Sequence, residues 1–187
     1  AAYSPGIEPC PPGRPQGAAE GRGRQSGLSW SILRPTVVPG RRSPLWEGLR
    51  GRACLPLIPV FGTGAARVQP IHVDDLCDVL ADWIFDETLA GGTFDAGGPD
   101  VLSMEELLHR IRAALKGSRG RSLHLPLGPL MGGLRLLEGP LFALLPLTSG
   151  QLHAFAHDST AAPNALLARH QGGMRGIDAV LAELARG

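Results

Sequence analysis

From Leu28 to the end of the chain, short β-branched apolar runs alternate with longer runs of helical period. That alternation narrows the fold more than any other feature. Strands followed by helices bury their apolar faces against each other as an α/β layer structure. "LSWSILRPTVV" has the β-branched and aromatic content of a strand, "LIPVFGTGAARVQPIHV" predicts extended segments around a glycine turn, "GGTFDAGG" a short strand between glycine turns, and "RSLHLPL" a further strand. "RSPLWEGLRGRACLP" predicts a short helix. "DDLCDVLADWIF" places Leu76, Val79, Leu80, Trp83 and Ile84 on one helical face, with Asp74 as its N-cap. "LSMEELLHRIRAAL" is the clearest helix. Ser103 and Glu106 have capping-box spacing, Leu102 and Leu107 that of a hydrophobic staple, and Leu107, Leu108, Ile111 and Leu115 make an apolar stripe. "GIDAVLAELARG" predicts a closing amphipathic helix, and "GPLMGGLRLLEGPLFALL" a helical region in two pieces.

Residues 1–27 are crowded with proline and glycine and show no apolar period, so they predict an irregular segment preceding a single unit over 28–187. A formal charge of +1 supplies no field for nucleic acid, and all but Lys116 of the 18 basic residues are arginine, as GC-rich coding produces. Three widely spaced cysteines without a CxxC suit a reducing compartment, and a cytoplasmic location is expected. The apolar stretch Leu123 to Leu147 is broken by prolines, Arg135 and Glu138, so it predicts a surface for a protein partner or for peripheral membrane contact rather than a spanning helix.

Motifs that carry chemistry are sparse. "FGTGAA" supplies Gly62 and Gly64 without a third glycine or a following helix, and it predicts a hairpin turn. His153 and His157 lie one helical turn apart, but Ala154 stands where a zinc protease needs glutamate, and Asp74, Asp78 and Asp82 read as capping and solvated acids; no metal site is expected. His72 sits where a strand hands over to a helix, as a structural residue or a substrate contact. Arg34 closes a strand and needs a carboxylate or carbonyl partner. Pro35 removes a backbone donor beside it, and ligands of open α/β sheets bind outside such carboxyl ends.

Three segments, "SGLSWSILRPTVVPG", "PVFGTGAARVQPIHVDDLCDVL" and "GGTFDAGGPDVLSMEELLHRI", resemble in order and spacing the atypical extended short-chain dehydrogenases, the NAD(P)-binding epimerase/dehydratase-like proteins. Within these, the sequence is most similar to the nucleotide-binding accessory subunit of respiratory complex I. The resemblance implies the C-terminal half of a Rossmann-like doubly wound sheet plus a small substrate lobe. It places Pro35, Thr36 and Val37 against the nicotinamide of NAD or NADP, with Arg34 and His72 on the substrate side. Val68 and Gln69 stand where sugar-nucleotide epimerases have an Arg-Asp pair. Pro12 and Gln16 stand where the family has its catalytic tyrosine and lysine, on a helix that "PPGRPQGAAEGRGRQ" is poorly composed to form. No catalytic residue is therefore assigned, and with no glycine loop the chain alone is expected not to hold NAD(P). The parent activity implied is NAD(P)-dependent oxidoreductase or epimerase chemistry in a truncated or frame-shifted product. The alternative is a scaffolding module in a respiratory complex, peripheral to the inner membrane.

Overall fold

The computed structural model describes residues 14–41, 43–126, 158–170 and 172–186. The expectations placed on residues 127–147, on His153 and on His157 lie outside these residues.

The element order is helix α1 (Arg14–Gln25), strand β1 (Ile32–Pro35), α2 (Pro44–Ala53), β2 (Leu57–Phe61), β3 (Arg67–Val68), α3 (Val73–Phe85), a 3₁₀ turn (Glu87–Leu89), β4 (Thr93–Ala96), β5 (Leu102–Ser103), α4 (Met104–Lys116), β6 (Arg121–Leu125), α5 (Ala165–His170) and α6 (Ile177–Ala185). Among the described residues the strands form three pairs. β1 runs parallel to β4, with Ile32 opposite Thr93 and Pro35 opposite Ala96. β2 runs parallel to β6, from Leu57 opposite Arg121 to Phe61 opposite Leu125. β3 is antiparallel to β5. The expected α/β class is what the structure shows.

Two apolar clusters sit between these layers. In the first, Trp46, Leu49 and Ala53 of α2 meet Leu107, Leu108 and Ile111 of α4, Ile58 and Val60 of β2, and Ile177, Val180, Leu181 and Leu184 of α6. In the second, Ile71, Val79, Leu89 and Ala96 enclose Leu166 and Leu167 of α5. Ser43 caps α2 by accepting the Trp46 N–H, and Ser103 caps α4 by accepting from Glu106. Only half of the predicted capping box forms, because the Glu106 carboxylate is drawn forward to Arg110 and Arg119.

Several expectations are corrected. Arg14–Gln25 is helical rather than irregular. Pro15 falls in the first turn, where its missing N–H breaks no helical bond. Arg24 donates to Thr93 Oγ1 and lies 5.3 Å from the centre of the Trp30 ring, contacts that composition cannot announce. Helix α3 is capped by His72, not Asp74, since His72 Nδ1 accepts the Asp74 N–H at 3.2 Å. Ile84 is 66% exposed and leaves the predicted stripe, while Val79 is buried and Leu76 and Trp83 pack against the second cluster. The Gly62–Gly64 turn is no hairpin, because the strands either side of it, β2 and β3, belong to different pairs.

Candidate functional site

β1 and β4 end side by side at Pro35 and Ala96, and the segment that crosses beneath these ends is "VQPIH". Thr36 donates its N–H to the Ala96 carbonyl at 2.9 Å and its hydroxyl to the Gln69 carbonyl. Val37 pairs with Pro70, and its carbonyl accepts the Ile71 N–H at 2.9 Å. The strand end therefore does not fray at Pro35; it is carried into a second, short pairing with the crossing segment.

Gln69 fastens the crossing. Its side chain is buried, with Nε2 donating to the Gly98 carbonyl at 2.7 Å and Oε1 accepting the Ala161 N–H at 2.8 Å. Its own N–H reaches the Ser159 carbonyl at 3.1 Å. One residue thus ties together the ends of β1 and β4 and the 159–161 segment. The approach is so close that a Cβ on Gly98 would stand 2.0 Å from the Pro70 carbonyl oxygen, and one on Gly97 would stand 2.7 Å from Gln69 Cδ.

Arg34, at the rim of this strand end, has found the carboxylate its position calls for. Its guanidinium makes a two-pronged bond to Glu20 of α1, with Nε at 3.0 Å from Oε1 and an Nη at 2.6 Å from Oε2. The Arg34 hydrogen bond holds the Glu20 carboxyl below its usual range, and the same bond raises the Arg34 guanidinium. Both sit in solvent, so the pair orients α1 more than it stabilises it.

His72 is held by a different set of contacts from Arg34. It is 3% exposed and receives two donors at Nδ1, the Asp74 N–H and the Arg175 guanidinium. Nδ1 is therefore an acceptor, and the ring's proton sits on Nε2, 3.3 Å from Glu183 Oε2. Arg175 also binds Asp74 at 2.8 Å, and its backbone N–H donates to the buried Asp75 carboxylate at 2.8 Å. With both nitrogens engaged, His72 joins the start of α3 to α6. Asp82 lies 3.0 Å from His170, so of Asp74, Asp78 and Asp82 the first and last are partnered rather than merely solvated.

Sequence reasoning missed Gln69 as a structural hub. The available signal was an amide residue inside an otherwise apolar crossing, followed after the next strand by paired glycines at 97 and 98. Among the described residues no group of three or more His, Cys, Asp or Glu is placed to hold a metal ion. No described helix is long and apolar enough to cross a membrane.

No protein-family model matches the chain, and no curated protein matches it in sequence. Solved structures do match in shape. Triphenylmethane reductase from Citrobacter sp. superposes with a TM-score of 0.64 at 15% identity, covering 91% of this chain and 57% of that one. A nucleoside-diphosphate-sugar epimerase from Staphylococcus aureus gives 0.61 at 17% identity, covering 89% and 56%. A human epimerase family protein solved with NADPH gives 0.56 at 19% identity, covering 84% and 48%. The fold is that of the epimerases and short-chain dehydrogenases. The chain spans about half the length of each of these structures. In an epimerase-type fold the paired ends of β1 and β4 are carboxyl ends of parallel strands, the side on which open α/β sheets receive ligands. The Gly62–Gly64 turn does not fit a pyrophosphate. The Gly62 N–H is used by the Leu125 carbonyl, and a Cβ on Gly64 would stand 3.2 Å from a Glu105 carboxylate oxygen, a charge that repels phosphate.

Proposed function

We propose that the chain is the C-terminal, substrate-side half of an NAD(P)-dependent oxidoreductase or epimerase of this fold. Pro35, Thr36 and Val37 face the nicotinamide end of NAD or NADP, and the phosphates are held outside this chain. The observation that carries the reading is the adjacent ending of β1 and β4, with Thr36 fixed between Ala96 and Gln69. A bound dinucleotide would supply or accept a hydride there. The chain's own part is positional: the Gln69 crossing holds the strand end, and Arg34 is open to an anionic substrate in exchange for Glu20. His72 supports α3 from behind rather than touching substrate. With Pro12 and Gln16 in the places of the family's tyrosine and lysine, no residue is assigned proton transfer.

Two titrations test the two parts of this reading. Calorimetry with NADPH and NADH is expected to show no saturable binding to the isolated chain at micromolar concentration. Tight binding would overturn the claim that the phosphates are held elsewhere. Amide chemical shifts with nicotinamide mononucleotide at high concentration are expected to move at Thr36, Val37, Gly97 and Gly98. Shifts located elsewhere would refute the placement of the nicotinamide.

A further inference from the structure

The two parallel strand pairs have four outer edges, and three of them are closed. Ile32 and Thr36 donate toward β4, so alternation turns Leu33 and Pro35 outward, and Pro35 has no N–H to offer a neighbour. On the far side of β4, Asn164 donates to the Asp95 carbonyl at 2.9 Å and the Ala162 N–H to the Asp95 carboxylate at 3.3 Å, which covers that edge. In the second pair the Gly62 N–H donates to the Leu125 carbonyl. This turns Ile58 and Val60 toward β6 and leaves Pro59 facing outward on β2, a second edge without a donor.

Among the described residues nothing guards the outer edge of β6 in this way. The same register turns the backbone of Ser122 and His124 outward. Both residues keep their amide hydrogens, and their backbone groups have no partner on that side among the described residues. Their side chains point to α4, where Ser122 bonds Glu105 and His109, and His124 Nε2 lies 3.3 Å from Glu105. On the opposite face Leu123 is 47% exposed, close to Leu57 at 48%.

We infer that this edge pairs with the same edge of a second copy of the chain, antiparallel about a two-fold axis at Leu123. The stretch "RSLHL" is self-complementary in that register. Ser122 stands opposite the second copy's His124, and the outward amides and carbonyls of both residues close a hydrogen-bonded pair on each side of the axis. The two Leu123 side chains meet across the axis in the close, non-hydrogen-bonded position, which covers the apolar group the free edge leaves in water. Arg121 stands opposite Leu125, so no like charges face each other. Pairing on the β1 or β2 edge would leave acceptors facing prolines, and pairing on β4 would require removing the 162–164 segment. A five-residue strand buries well under the roughly 800 Å² per partner of a stable interface. The assembly is therefore a weak, concentration-dependent dimer with a four-stranded sheet running through it.

Sedimentation velocity of the whole chain, from low micromolar to submillimolar concentration, tests this. The wild type shifts from monomer toward dimer. Leu123→Lys, which sets two ammonium groups against each other at the axis while keeping every backbone donor, remains monomeric with an unchanged circular dichroism spectrum. His124→Pro removes an outward amide without touching the β2–β6 ladder and also remains monomeric; if that variant fails to fold, Leu123→Lys decides alone. A wild type that stays monomeric throughout overturns the inference. So does a Leu123→Lys protein that associates as the wild type does.

Discussion

Replacing Gln69 with leucine tests the crossing that holds the strand end. The substitution introduces an apolar side chain of similar bulk, one bond shorter, and removes the donor and the acceptor that the crossing uses. It leaves the buried Gly98 carbonyl and the part-buried Ala161 N–H without partners, since in the wild type these are served by Nε2 at 2.7 Å and Oε1 at 2.8 Å. Each orphaned buried group costs about 1–3 kcal/mol, and the added apolar contact offsets part of that. A net loss of about 3 kcal/mol is expected, which for a domain of this size is about 6–12 °C in melting temperature. Urea unfolding followed by circular dichroism measures the stability. Hydrogen exchange at Ala161 provides a local readout, because that amide loses its acceptor and exchanges much faster in the variant. A loss under about 1 kcal/mol, with Ala161 still protected, would show that Gln69 is not the fastener described here.

Gly98→Ala places a methyl group 2.0 Å from a backbone oxygen, so the crossing must open; the variant is expected to express poorly or to unfold well below the wild-type temperature in a thermal melt. Ile111→Ala empties a fully buried site between α2, α4 and α6 and should cost about 2–5 kcal/mol in urea unfolding, whereas Ile84→Ala, on an exposed position, should cost almost nothing. The hydrogen bond from Arg34 holds the Glu20 carboxyl below the usual glutamate range, so its contribution is present above that range and is lost as pH falls through the lower folded-state value. Exchange protection of α1 should accordingly drop on acidification below about pH 4.5. Glu20→Gln should flatten that dependence; an unchanged profile would show that the pair does not hold the helix.

What was legible in the sequence was local. Ser103 announces its helix because the cap and the amide that donates to it lie within three residues, and the stripe of α4 is buried as its period requires. β2 and β4 stood out because each carries its own β-branched or aromatic content between turn residues. What was hidden depends on partners far away in the chain. Helix α1 forms against composition with Arg34 and Thr93 as its contacts. The cap of α3 shifts from Asp74 to His72 because Arg175, over a hundred residues later, takes the Asp74 carboxylate. At the candidate site, Pro35, Thr36 and Val37 could be placed at a strand end from sequence. That Gln69 would lock that end could not be foreseen, since its partners come from two other segments.

The first apolar cluster also constrains how the chain can be made. Its α2 and α4 walls are complete by Lys116, but Ile177, Val180, Leu181 and Leu184, which close it, belong to the last helix. At the usual rates of synthesis, the roughly sixty intervening residues take about 3–12 s to emerge. Through that interval Trp46, Leu107, Leu108 and Ile111 face solvent on a ribosome-bound chain, the condition that recruits chaperones. A few residues lost from the C-terminus would make that temporary exposure permanent.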